Sequence, residues 1–494
     1  MHDVIVVGTG FGGLTSAALL AKRGMRVLTL EAANELGGSA GKFDRQGFRF
    51  AAGATVGMGF EKDGLLTELF HELEMNPPSM QQLETIMNVY LPDRHVMYFA
   101  QKERWFEEAG RVFEKSERIQ AFFHEVFSVA EKLYRFVKQK IIFPPVTIRE
   151  WKNFLQAIDV SILSLAPYLH QSVYDRLRKY ELHNDKAFMT FLNGQLMDSV
   201  QTTAEYSPSL LGYMALSVFH RGAFYVHGGL ASVIEALSVS FQQNGGELKM
   251  RSKVISLKKS GNHWRVETKR GDMYEANQLI VNAPIHNIFE LLADQERKAL
   301  PIKQEKEEQQ TSWGAFTLYV GAKEGFLDEK SFFTPFHQFI GTYDRPLSEG
   351  NQFLFSVSSP DDDTFAPDGK RAITISTHTE VKQWWNKETY EGLKDRYVND
   401  ILYLIEKRFN GFSAHTEVLL PGTPVTFQRF TQRKHGLVGG YVPTSKYSLF
   451  KAYSPNARIE GLWFCGDTVF PGAGSLGSSL SGWTVANELI QTYK

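Results

Sequence analysis

The chain has 494 residues, 43% of them hydrophobic, enough to bury a large core shared by two or three domains. Its 54 Lys and Arg are matched by 55 Asp and Glu, so there is no basic excess for nucleic acid, and that class of partner is excluded. Cys465 is the sole cysteine, which rules out an internal disulfide and fits a reducing compartment.

The first strand is expected from about Asp3, so the fold is read as starting without a signal or transit segment. No run approaches the roughly 20 apolar residues of a spanning helix. Val4–Val7 is short and β-branched, the mark of a buried parallel strand. Glycines follow at the spacing Gly8-x-Gly10-x-x-Gly13, with Phe11 and Gly12 between them. Leu14, Ala17, Ala18 and Ala21 then repeat at helical spacing, and Gly24 ends that helix. A second strand, MRVLTLE, runs to Glu31 and is followed by Ala32. This is a βαβ unit for a dinucleotide. Gly8 permits the tight turn, Gly10 lets backbone approach a pyrophosphate, and Gly13 lets helix and strand pack closely. Glu31 is placed to accept hydrogen bonds from ribose hydroxyls and to repel a 2′-phosphate. Six residues on, Gly37-Gly38 can bring a second loop against the diphosphate, with Ser39 and Ala40 contributing backbone. A flavin, which extends beyond the sheet edge, needs that loop more than a nicotinamide does.

Residues 112–143 are expected to be helical. Phe123, Val126, Ala130, Leu133, Val137 and Ile141 form the apolar stripe, interleaved with Lys132, Arg135, Lys138 and Lys140. A second amphipathic stretch, Phe154–Leu169, follows the Pro144-Pro145 break. Thr190–Val226 is rich in small and apolar residues. Gly228-Gly229 opens a helix from Leu230 to about Phe241, and strands follow the Gly245-Gly246 turn. Lys303–Gln310 reads as a solvated helix face and PDDDTFAPDGK as an exposed loop. His220, His227 and His378 have no metal-ligand spacing and are read as structural.

Near the other end, a strand over Leu462–Cys465 leads to Gly466-Asp467 and a glycine-rich loop, with a helix from about Leu476. Asp467 can take a ribityl hydroxyl. The helix start, with Gly474, Ser475 and Leu476, offers unpaired N–H groups to a flavin's pyrimidine edge. Gly8 and Gly466 would then meet on one ligand, so the cofactor domain must be discontinuous.

The segments GTGFGGL, GGSAGKFDRQGFRFAAGAT, GAFYVHGGLASVIEALSVSFQQNGGEL, LIVNAP and CGDTVFPGAG together resemble the FAD-dependent phytoene desaturase and carotenoid isomerase family, within the amine-oxidase-like flavoproteins. One position departs. Many members carry Arg or Lys after the glycine pair, where this chain has Ser39; that is more similar to the carotenoid isomerase and retinol saturase branches. The resemblance implies FAD as cofactor, with backbone at Val254 touching its adenine. It implies an α/β fold: a discontinuous Rossmann-like FAD-binding domain, an inserted α+β substrate-binding domain and a helical membrane-facing part. The expected segments are 1–90, 221–290 and 418–494 for FAD, and 91–220 and 291–417 for substrate. Thr190–Val226 would line a tunnel, with Phe224 and Tyr225 near its end. The implied substrate is an apolar polyene that dissolves in bilayers, so the basic amphipathic helices would dock a cytoplasmic protein on the inner face of a membrane. The implied reaction is isomerisation, desaturation or saturation. An amine-oxidase-like enzyme of a small amine and a lipid carrier without turnover remain as alternatives. Neither the acid–base residues nor the oligomeric state is legible.

Overall fold

A computed structural model of the chain describes residues 1–304, 312–326, 334–444 and 449–492. Most of the Lys303–Gln310 stretch lies outside the described residues.

The first strand, His2–Val7, has two parallel neighbours, Val27–Leu30 and Met273–Val281. Glu247–Lys249 adds a parallel strand beyond Val27–Leu30. On its other side, Met273–Val281 pairs antiparallel with His263–Thr268, and its last three residues pair parallel with Leu462–Phe464. Both faces are covered, which is why Val4–Val7 is continuously apolar. Val4 and Val6 pack with Leu14, Ala17 and Ile280; Ile5 and Val7 pack with Leu28, Trp264 and Ile285. The strands ending at Val7, Val281 and Phe464 run the same way, so Gly8, Asn282 and Gly466 emerge together at one edge.

A larger sheet runs in the order 416–422, 313–323, 370–379, 352–357, 336–340, 85–90 and 95–99. Strands 85–90 and 416–422, which flank the expected seams at 90 and 418, both belong to it. Helices over residues 102–221 cover one end.

Two expectations about those helices are corrected. The helix expected over 112–143 is a single helix, Ser116–Val137; Lys102–Val112 is a separate helix before it, ending at the buried Phe113. The apolar stripe of Ser116–Val137 is core: Phe123, Val126 and Leu133 are buried in a cluster shared with Leu216 and Phe219 of the helix Ser209–Arg221, and Ala130 is buried too. Periodicity reveals an apolar face but not what covers it. The stretch over 154–169 is broken. A helix at Ile148–Ala157 ends at the extended Ile158, and Asp159 caps a new turn by accepting from Ile162 N at 2.9 Å. Several large apolar side chains are exposed here, with Ile148 91% and Val160 83% exposed. Among the described residues, no helix is long and apolar enough to cross a membrane.

Candidate cofactor and substrate site

Gly8 has φ +95° and turns the chain from the first strand into the helix Phe11–Lys22, with Gly10 at its N-cap. A Cβ at Gly10 would lie 2.6 Å from Asn282 Nδ2, so the backbone there stays bare. Gly8, Gly10 and Phe11 line a cavity of about 480 Å³. Gly12 and Gly13 do not. They stand behind this wall as packing positions: a Cβ on Gly13 would meet Gly8 O at 2.2 Å, and one on Gly12 would meet Gly466 N and Ser478 O at 2.9 Å.

Glu31 and Ala32 line the same cavity. The Glu31 carboxylate also latches the loop. Oε2 accepts from Thr9 N at 2.9 Å and Thr9 Oγ1 at 2.6 Å, and Oε1 accepts from Ala33 N at 2.8 Å. Ionised carboxylates have about four acceptor positions, so one remains for a hydroxyl. Gly37, Gly38, Ser39 and Ala40 form a short turn on the cavity, and Val254 reaches it from the edge of the sheet.

From the far end of the chain, Gly466, Asp467, Gly474 and Ser475 complete the wall. Gly466 has φ +105°, and its N–H donates to Ser481 Oγ at 2.8 Å. The helix opens at Gly474, two residues before the expected start. Asp467 faces Arg433, with Oδ2 2.9 Å from Nη2 and both side chains mostly buried. Leu476 lines a second cavity instead.

That second cavity, of about 390 Å³, has a wall largely of Val56, Met58, Leu133, Leu211, Met214 and Phe219. The two cavities share Gly53, Ala54, Asp198, Gln201, Gly474 and Ser475 among their linings, so they meet at the start of the final helix. Among the residues common to both, none is aromatic. Ser475 Oγ is buried and has no hydrogen-bond partner.

The tunnel expectation for residues 190–226 divides. Asp198 through Phe219 supply much of the apolar wall, but Phe224 and Tyr225 line neither cavity. Phe224 packs against Phe60 at 5.9 Å between ring centroids. Tyr225 donates to Asp362 Oδ2 and accepts from Ser359 N, both at 2.9 Å. Asp362 also accepts from Gly228 N, so this acid of the expected exposed loop is instead a buried anchor.

Sequence reasoning missed Asn282, Arg433 and Asp198. Asn282 was findable. It follows a buried parallel strand directly, the same topological place as Gly8, where ligands of such sheets bind. Arg433 and Asp198 have no local signal.

A family model described as flavin containing amine oxidoreductase matches residues 11–490. The chain is 28% identical to prolycopene isomerase 1, chloroplastic, of an Oncidium hybrid cultivar, over 99% of this chain and 84% of that one. It is 24% identical to carotenoid 3,4-desaturase of Haloarcula japonica, over 99% and 98% of the two chains. Wild-type putrescine oxidase bound to putrescine superposes with a TM-score of 0.66 at 14% identity, over 99% of each chain.

Proposed function

The chain belongs to the family of flavin-containing amine oxidoreductases, and from that premise we propose that it is an FAD-dependent enzyme of long apolar polyenes, a carotenoid cis–trans isomerase, with desaturation as the second reading. The observation that carries the proposal is the apolar cavity, which opens onto the wall where a flavin ring would end. The desaturase similarity supports the second reading.

FAD fits the residues present. The bare backbone at Gly10, the acceptor Glu31 and the unpartnered Ser475 Oγ lie along one continuous wall. In this reading Gly8, Gly10, Phe11, Glu31 and Ala32 hold the adenosine and diphosphate side, together with Gly37 to Ala40 and Val254. Asp467, Gly474 and Ser475 hold the other end. The partition is about 1–90, 221–290 and 418–494 against 91–220 and 291–417, with the boundary strands 85–90 and 416–422 joining the larger sheet of the substrate side. When bound, FAD supplies reversible electron exchange with a conjugated chain. The protein's own part is to orient that chain and keep water out, through the apolar walls of the second cavity.

The test is an anaerobic assay of FAD-loaded protein with poly-cis carotenoid in liposomes, with and without dithionite. Isomerised product of unchanged mass only under reducing conditions is expected. Product lacking two hydrogens under oxidising conditions establishes the desaturase. No conversion in either state sinks the polyene reading and moves the search to amines and retinoids. Glu31→Ala is expected to lower FAD retention on gel filtration without unfolding the chain; full retention contradicts the role given to that acid.

Docking on the cytoplasmic face of a bilayer belongs to the same reading. Ile148, Leu155, Val160 and Leu163 are exposed, and Phe450, whose neighbours Leu449 and Ala452 line the substrate cavity, is half exposed. Trp151 stacks on Phe450 at 6.4 Å, joining the two segments into one apolar rim. Val160→Asp with Leu163→Asp is expected to abolish co-sedimentation with anionic vesicles while sparing FAD content. Equal binding by wild type and variant removes this rim from the proposal.

A further inference from the structure

Asp198 has no part in the mechanism so far. It stands near the end of the helix Lys186–Val200, on the wall common to both cavities. Its carboxyl is held from behind by two glutamines. Gln352 Nε2 donates to Oδ1 at 2.7 Å, and Gln338 Nε2 donates to Oδ2. Gln338 is fixed in turn by Gln195, whose Nε2 donates to its Oε1 at 3.0 Å. Gln338 and Gln352 are buried on adjacent strands of the larger sheet, so rigid elements aim this carboxyl.

Its charge environment is unusual for the site. Among the described residues no cation acts on Asp198. The other carboxylate on the substrate cavity, Asp467, faces Arg433. The remaining titratable groups there are Tyr134, Tyr441, Lys138 and Arg221; Lys138 pairs with Glu68, and Arg221 with Glu61 and Glu131. On the cofactor cavity His378 is kept neutral, pushed down to about 4 by burial, and Glu31, Lys253 and Glu290 also line the wall. A carboxyl lining an enclosed apolar cavity and without a cation is biased towards its protonated form. Burial pushes Asp198 up to about 7, against the pull of the two amides towards the ionised form.

We propose that Asp198 is a catalytic acid–base residue that gives a proton to one carbon of the bound polyene and takes one back from the same carbon. The inference rests on the polyene reading above. The Asp198 O–H bond breaks as a C–H bond forms at one end of a cis double bond. The positive charge spreads along the remaining conjugation, and the former double bond rotates as a single bond. Asp198, now a carboxylate, removes a hydrogen from the same carbon as a proton, and the C–H pair restores the double bond. No electrons are gained or lost. The rotation that moves the chain from cis to trans also turns the original hydrogen towards the base. A single carboxyl on one face therefore leaves the delivered hydrogen in the product.

The experiment is anaerobic turnover of poly-cis carotenoid in D2O by FAD-loaded protein reduced with dithionite, with mass spectrometry of the product. One deuterium per isomerised bond is expected, with a rate that falls as pH rises through about 7, because the acid form starts the reaction. Asp198→Asn is expected to lower turnover at least about 100-fold. Its FAD content and flavin absorbance should match wild type, and it should lack the carboxylic C=O infrared band that titrates near neutral pH in wild type. Unlabelled isomerised product from active wild type overturns the acid–base role and leaves the polyene reading standing, as does full turnover by Asp198→Asn. No conversion by wild type under any condition overturns both. If Asp198→Asn does not fold, the wild-type labelling experiment still decides, and Asp198→Glu is expected to retain the label.

Discussion

Gly482→Ala is expected to yield a chain that does not retain FAD through gel filtration and melts well below wild type. The two ends of the polypeptide meet at this residue. A Cβ on Gly482 would lie 2.0 Å from Gly12 O, 2.8 Å from Gly12 C and 2.9 Å from Gly12 Cα, all of them backbone atoms that cannot rotate away. The helix Phe11–Lys22 is buried along nearly its whole length, so it cannot retreat without opening the core. Gly12 in turn fits against Gly466 N and Ser478 O, so any separation at Gly482 propagates directly to the cofactor wall. Overpacking of this kind costs about 1–3 kcal/mol, and more where both partners are main chain. The ratio of flavin to protein absorbance and a thermal melt check it. Gly392→Ala is the control. It lies in the helix Tyr390–Arg408, a Cβ there meets nothing within 4 Å, and the change should be neutral or slightly stabilising. Wild-type FAD content and melting in Gly482→Ala would mean the helices are not in backbone contact.

How much of this was legible depended on whether the signal was local. The unit from Val4 to Glu31 was readable because strand, turn and helix are each encoded by neighbours: a β-branched run, a spaced set of glycines, then small residues at helical period. Gly13 packs helix on strand as expected, and Gly12, expected at the ligand, packs as well. Gly8 and Gly10 face the cavity, while Gly12 and Gly13 hold helices and strand together. For Gly12 that distinction depends on the final helix, more than 450 residues away in sequence. The apolar stripe at Phe123–Leu133 was legible as a stripe, but its partner, the helix Ser209–Arg221, decides that it is core. The exposed rim at Ile148–Leu163 could not be separated from it by composition. Asp198 is the extreme case. In sequence it is one polar residue in a buried helix, and its character comes from glutamines on strands about 150 residues downstream.

Arg433 raises the same issue of distant partners, and its removal is the second large effect expected. Arg433→Met should abolish FAD retention and lower stability by about 3–5 kcal/mol, because it strands the Asp467 carboxylate in a mostly buried position without its cation. The consequence is local to the cofactor wall. Asp467 sits between the strand Leu462–Phe464 and the final helix, and Gly440 packs against its carbonyl so closely that a Cβ would lie 2.1 Å from the oxygen. The Arg433 Nε–H donates to Leu437 O, tying residues 433–440 to the loop that carries Asp467. Charge and backbone packing therefore hold the same two loops together. The double change Arg433→Met with Asp467→Asn separates these contributions. It removes both charges and leaves the Gly440 contact intact, so it should recover most of the melting temperature lost by Arg433→Met alone. It should recover FAD retention only in part, since the Asp467 carboxylate is also the expected acceptor on that side of the cavity. Equal destabilisation by the single and double changes would show that the stranded charge is not the cause, and that Arg433 acts through its hydrogen bond to Leu437.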